Sequence, residues 1–138
     1  MRILLDTNVW VAGIASRGLC HDLVRHAITL HEKERACLLV CTTVEREILR
    51  ILTEKIALSP DGLRKATTIL HRLEFVADGD WQTPSDFPDP DDVPIIGAAL
   101  GAGADLFVTG DKALLALSEF EGLPIRSPRD AYIALRGL

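Results

Sequence analysis

Short apolar runs with the length of buried strands alternate along this chain with segments whose apolar residues recur at helical spacing. That alternation limits the fold more than any other feature. The runs are RILLD (2–6), ACLLVC (36–41), LEFVA (73–77), ADLFVTG (104–110) and LPIRS (123–127). ACLLVC shows no polar alternation, as expected of a strand covered on both faces, and LPIRS is expected at a sheet edge. DTNVW, after the first run, reads as a turn. Leu19, Leu23, Ala27 and Leu30 mark a helix over 19–32. Thr42 or Thr43 is the expected N-cap of a second helix with the stripe Val44, Ile48, Ile51 and Leu52. The break Ser59–Gly62 introduces a third over 62–73. An Asp- and Pro-rich loop from Asp78 to Asp92 precedes a small-residue helix, 93–103, in which Pro94 is tolerable only in the first turn. DKALLAL (111–117) and PRDAYIALRG (128–137) complete the series. Strands joined through helices of this length call for right-handed crossovers, hence an α/β fold of three layers around a mainly parallel sheet.

With 138 residues, 48% of them apolar, the chain can bury a core as a single domain over 1–138. Its opening, MRILLDTNVWVAGIAS, has the outline of a signal peptide, but Asp6 and Asn8 interrupt the apolar segment. No apolar stretch reaches the ~20 residues of a membrane helix, so a cytosolic location without membrane attachment is expected. Cys20, Cys37 and Cys41 are odd in number and lack CxxC spacing, which excludes a cysteine zinc site. Cys37 and Cys41 share one face of their strand and read as reduced core residues. A net charge of −5 fits poorly with nucleic-acid binding, unless several acids are metal ligands whose ions offset that charge.

The acids fall in four places: Asp6 after RILL, Glu45 and Glu47 in the second helix, Asp89, Asp91 and Asp92 in FPDPDDVP, and Asp111 after FVTG. Asp6 and Asp111 follow apolar strands, and parallel strands can bring such carboxylates together above their carboxyl ends. Hard oxygen donors gathered there suit Mg²⁺ or Mn²⁺, which makes a metal-dependent nuclease the leading expectation. Thr7, Asn8 and Thr109 can hydrogen-bond the site acids. Asp111 also reads as the N-cap of DKALLAL, and one residue can serve both purposes. Three acids before a helix exceed what capping needs, so at least one of Asp89, Asp91 and Asp92 is expected to be a ligand. On a helical wheel Glu45 and Glu47 flank the apolar stripe, with a slight preference for Glu45. Asp105 should lie at the far end of the sheet. Arg46, Arg50 and Lys55 form a solvated face or track a phosphate backbone, and Lys112 is better placed to meet one. The four histidines lie on helices away from the acids. Trp10 and Trp81 are expected to pack the core or its boundary rather than to stack on a base.

DTN after strand one, EILRIL in the second helix, DPDDVPIIGAA and VTGDKALL together resemble the PIN-domain family over nearly the whole length. Among its members the chain resembles most the single-domain toxin ribonucleases of type II toxin–antitoxin systems. The resemblance implies a PIN-like α/β/α fold and places the family's catalytic acids on Asp6, Glu47, Asp92 and Asp111. Asp6, Asp92 and Asp111 would be metal ligands, with Asn8, Thr109 and Asp89 in support. It selects Glu47 against the wheel preference. It further implies Mg²⁺ or Mn²⁺ as cofactor, an RNA substrate, a small antitoxin partner and a homodimer. A DNA-directed nuclease would use the same acids. A Mg²⁺-binding signalling module of the response-regulator type would need an Asp after a mid-chain strand, where this chain has Cys41 and Thr42.

Overall fold

Ile3, Leu4 and Leu5 have no exposed surface, as a strand sandwiched between two layers requires. They form β1 (Arg2–Leu5), the middle of a sheet whose order is β3-β2-β1-β4-β6-β5 in the computed structural model, which describes residues 1–79 and 87–138. The other strands are β2 (Cys37–Cys41), β3 (Glu74–Val76), β4 (Leu106–Val108), β5 (Glu119–Phe120) and β6 (Leu123–Arg126). All neighbours pair in parallel except β5, which runs antiparallel to β6. Seven helices flank the sheet in a three-layer α/β/α arrangement among the described residues: α1 (Thr7–Ala15), α2 (Leu19–Glu32), α3 (Thr42–Glu54), α4 (Pro60–His71), α5 (Val93–Gly101), α6 (Lys112–Leu117) and α7 (Pro128–Leu135). None of them is long and apolar enough to cross a membrane.

The structure departs from the sequence reading in four places. The turn expected after RILLD is instead helix α1, with Asp6 as its N-cap. The helix is apolar on several sides, so it shows no single stripe; its Gly13 is required because a Cβ there would lie 2.9 Å from the Cys20 carbonyl oxygen of α2. Neither Thr42 nor Thr43 caps α3, whose N-cap is Cys41. Helix α4 starts at Pro60 rather than Gly62, because the Ser59 hydroxyl accepts the Gly62 N–H at 3.1 Å and Pro suits the first turn. LPIRS is not an edge: the two-residue strand β5 folds back over β6 through Glu121 and Gly122, both at positive φ.

Trp10 is in the core, 1% exposed, and its indole Nε1–H has no acceptor among the described residues; Trp81 lies outside them. The three cysteines are free. Cys41 is fully buried, which pushes its thiol up to about 12. Cys37 is only half-buried and faces the Arg2 guanidinium.

The strand order also opens a gap at one end of the sheet. The chain leaves β1 for β2 on one side, and later returns through β4 on the other. β1 and β4 stay paired to their carboxyl ends, where the Asp6 N–H donates to the Val108 carbonyl at 2.8 Å; it is the connections leaving them that diverge, which in open parallel sheets creates a crevice above the strand ends.

Candidate functional site

Asp6 stands at that crevice, directly after β1, and is 4% exposed. Its Oδ1 accepts the Thr7 backbone N–H at 2.8 Å; its Oδ2 accepts the Thr109 hydroxyl at 2.8 Å and the Asn8 side-chain amide at 3.3 Å. Burial pushes the Asp6 carboxyl up, the Thr109 and Thr7 bonds pull it back, and the charges of Glu47 and Asp111 push it up again. Thr109, fully buried, also accepts the Asp111 N–H at 3.0 Å, and Asn8 Oδ1 accepts the Gly110 N–H at 3.0 Å. The residues following β1 and β4 are thus laced together by side chains.

Asp111 caps α6, accepting the N–H groups of Ala113 and Leu114 at 2.8 and 3.2 Å. Both bonds fall on Oδ1, so capping engages only one of the two oxygens. The stripe of α3, Val44, Ile48 and Leu52, is buried against the core, which turns its two acidic flanks toward different neighbours. Glu47 lies on the α1 side and accepts the Thr7 hydroxyl on Oε2 at 2.6 Å. Glu45 lies on the α4 side and meets His71 Nε2 at 2.8 Å. The wheel preference for Glu45 is therefore not what the packing yields, because the position of α1 decides which flank faces Asp6. Thr7, which the sequence suggested as a partner of Asp6, serves it only through its backbone.

A single 3-10 turn, Pro90–Asp92, leads into α5. Asp89 caps this turn, accepting the Asp91 N–H at 2.9 Å, while Asp91 is exposed and Asp92 half-buried. The Asp92 side chain makes no capping bond. Its carboxyl is pushed up to about 7, by burial first and then by the charges of Asp6, Asp89, Asp111 and Glu47. The acids from four separated segments therefore act on one another. Asp105 is elsewhere: its carboxylate accepts the Arg2 N–H at 2.7 Å, at the amino end of β1.

Among the described residues no cationic side chain forms an ion pair with Asp6, Glu47, Asp92 or Asp111. Mutually repelling carboxylates without a counter-charge, backed by an amide and a hydroxyl, make an all-oxygen donor set that fits a hard divalent ion. No three acid, His or Cys side chains among the described residues are already drawn around one point as ligands. The donor set fits by its chemistry and by its common field. Of the nearby cations, Arg50 pairs with Glu54 at 3.5 Å, and Arg46 and Lys112 are exposed.

One positioning residue escaped sequence reading. Asp78 accepts both the backbone N–H and the hydroxyl of Thr43, at 3.0 and 2.7 Å, and so caps α3 from beyond a different strand. The parallel register Cys41↔Val76 sets residue 78 beside residue 43. Partial burial pushes the Asp78 carboxyl up, but the Thr43 and Cys41 hydrogen bonds outweigh it and hold the carboxyl below its usual range. No local signal marks it, because Thr42 and Thr43 read as caps themselves and only the β2–β3 register brings Asp78 to them.

These features, a crevice at the strand-order reversal with acids from β1, α3, the α5 entry and β4, define a PIN-type nuclease fold. The sequence model described as "PIN domain" matches residues 2–113, and the chain belongs to that family, whose members are nucleases. No curated protein matches the chain. Among solved structures it is similar to VapBC2 from Rickettsia felis, bound to a DNA fragment from their promoter. There the identity is 14% and the TM-score 0.62, over 92% of this chain and 98% of that one. It is also similar to PAE2754 from Pyrobaculum aerophilum, at 16% identity and TM-score 0.61 over 100% of both chains.

Proposed function

We propose that the protein is a Mg²⁺- or Mn²⁺-dependent endoribonuclease, the toxin of a type II toxin–antitoxin pair, with Asp6, Glu47, Asp92 and Asp111 as its catalytic acids. The observation that carries this reading is that carboxylates from four separated segments meet beside the carboxyl ends of β1 and β4 with no ion-paired cation among the described residues, burial and the neighbouring charges pushing the Asp92 carboxyl up to about 7. Asp6, Asp92 and Asp111 would hold the ion, and Asp89 would add to its field. When bound, such an ion supplies activation of a water for in-line attack on a phosphodiester and stabilisation of the leaving oxygen.

The chain's own residues set the geometry for that chemistry. Asn8 and Thr109 fix the Asp6 oxygen that faces them, and the capping bonds of Asp111 hold its rotamer. Thr7 engages Glu47 at Oε2, which leaves Oε1 to take a proton from the attacking water. Lys112, exposed at the start of α6, meets the substrate phosphate.

The VapBC2 likeness supports an antitoxin partner. A groove of about 230 Å³ between α1, α2 and α4, lined by Trp10, Ile14, Val24, Ile28, Leu58 and Ile69 among others, suits an apolar antitoxin segment.

The test is incubation of labelled RNA and DNA with wild type and Asp6→Asn in Mg²⁺, Mn²⁺ and EDTA. RNA cleavage by wild type alone, abolished by EDTA, is expected. Cleavage in EDTA, full activity of Asp6→Asn, or cleavage of DNA only would overturn the reading. Co-expression with the product of a neighbouring gene tests the antitoxin separately, with loss of cleavage as the expected result.

A further inference from the structure

A cavity of about 280 Å³ opens beside the acids, lined by Asn8, Val9, Ala12, Cys20, Gly110, Asp111 and Pro128. We infer that this cavity is a nucleobase pocket, taking the base of a nucleotide next to the phosphodiester that is cut. The inference rests on the ribonuclease reading and adds to it the place where substrate sequence is sensed.

Three of the lining residues, Asn8, Gly110 and Asp111, also belong to the acid cluster or its hydrogen-bond network. A ligand with its phosphate at the acids therefore has its next group at the pocket mouth. The remaining walls are apolar and come from three helices: Val9 and Ala12 of α1, Cys20 of α2 and Pro128 of α7. There is open space beside Gly110, where an added Cβ would meet only Asn8, at 3.5 Å. An open, mostly apolar recess of this size admits one unstacked ring, and bases splayed out of the stack are what proteins read in single-stranded RNA.

The polar groups at the mouth suit the same ligand. Asn8 Oδ1 is engaged by Gly110, but its Nδ2 makes only long bonds, 3.3 Å to Asp6 and 3.4 Å to Thr109. An amide nitrogen carries two N–H donors, so beside these long bonds Nδ2 has donor capacity for a ring nitrogen or carbonyl of a base. Burial holds the Cys20 thiol above its ordinary range, so it offers a neutral, polarisable wall. Lys112 and Arg129 follow Asp111 and Pro128 in the chain and are both exposed, placing cations on two sides of the pocket for the flanking phosphates.

The test uses a labelled RNA that wild type cuts at one bond, with two derivatives carrying an abasic ribonucleotide immediately 5′ or 3′ of it. For wild type, one of the two derivatives should raise KM about tenfold or more. Cys20→Trp, which fills the pocket, should raise KM on intact RNA by a similar factor and show no further penalty on that derivative. Ala12→Phe, filling from another wall, should do the same, so the result does not depend on the folding of one variant; Cys20→Ala should stay near wild type. Wild-type KM in both filled variants, or penalties that multiply with the abasic change, would overturn the pocket while leaving the ribonuclease reading intact. Unchanged RNA kinetics with loss of antitoxin inhibition would assign the cavity to the protein partner instead. Failure of wild type to cut any RNA in Mg²⁺ or Mn²⁺ overturns both.

Discussion

Replacing Asp92 by Asn should make the metal-free protein more stable while removing its activity. The side chain makes no capping bond, so the amide forfeits no hydrogen bond, and the change acts through charge. A carboxyl whose midpoint moves from 3.8 to about 7 is disfavoured as an anion by at most about 4 kcal/mol. Asp92 is half-open to water, and screening reduces this to about 1–2 kcal/mol. The raised midpoint fixes the sign. Between pH 3.8 and 7 the folded chain keeps a proton that the unfolded chain releases. The cost is therefore absent below that window, grows across it, and is complete above pH 7. In EDTA at pH 8, Asp92→Asn should melt about 3–7 °C above wild type, with about a third of that gain at pH 5. Scanning fluorimetry at the two pH values measures both. Excess Mg²⁺ at pH 8 should raise the melting temperature of wild type and leave the variant nearly unmoved. A variant no more stable than wild type at pH 8, or equally stabilised at both pH values, would refute the claim that the acids share one field.

Thr7→Val deletes the 2.6 Å bond to Glu47 and should cost about 1 kcal/mol in urea denaturation and at least tenfold in kcat, with Thr7→Ser recovering most of both. Gly97→Ala should cost about 1–3 kcal/mol, since the new Cβ would lie 2.8 Å from the Gly79 Cα and one of the two backbones must shift; its urea midpoint tests this. Asp78→Ala should cost about 1 kcal/mol of thermal stability by uncapping α3, whereas Asp78→Asn, which keeps an acceptor for the Thr43 N–H, should cost much less.

What could be read from the sequence was what local pattern controls. ILL, CLLVC and LFV are saturated with apolar side chains, and they became the central strands β1, β2 and β4. Asp6 and Asp111 could be placed because each comes just after such a strand. Helix α1 was illegible because a helix covered on several sides has no polar face to give it a period, and its Asp6 cap looks like a turn acid. Both flanks of α3 carry an acid, and the wheel's slight preference for Glu45 points to the wrong one. The distinction arises from Thr7, forty positions away. The Asp78 cap is hidden for the same reason, since only the β2–β3 register brings it to Thr43. The pairing of β5 with β6 was missed because two residues are too few to show any alternation.

The bond between Thr109 and Asp6 joins positions 103 residues apart, and this has a consequence in time as well as in space. A chain is made from its amino terminus, and its acids emerge in the order 6, 47, 92, 111. Until β4 docks beside β1, the Asp6 oxygen lacks its Thr109 donor and Asp111 has no place at the crevice. In the nuclease proposed above, hydrolytic competence would come with one such long-range closure rather than grow with chain length. A chain that has not reached residue 109 holds Asp6 without its Thr109 donor, whatever else of the sheet has formed.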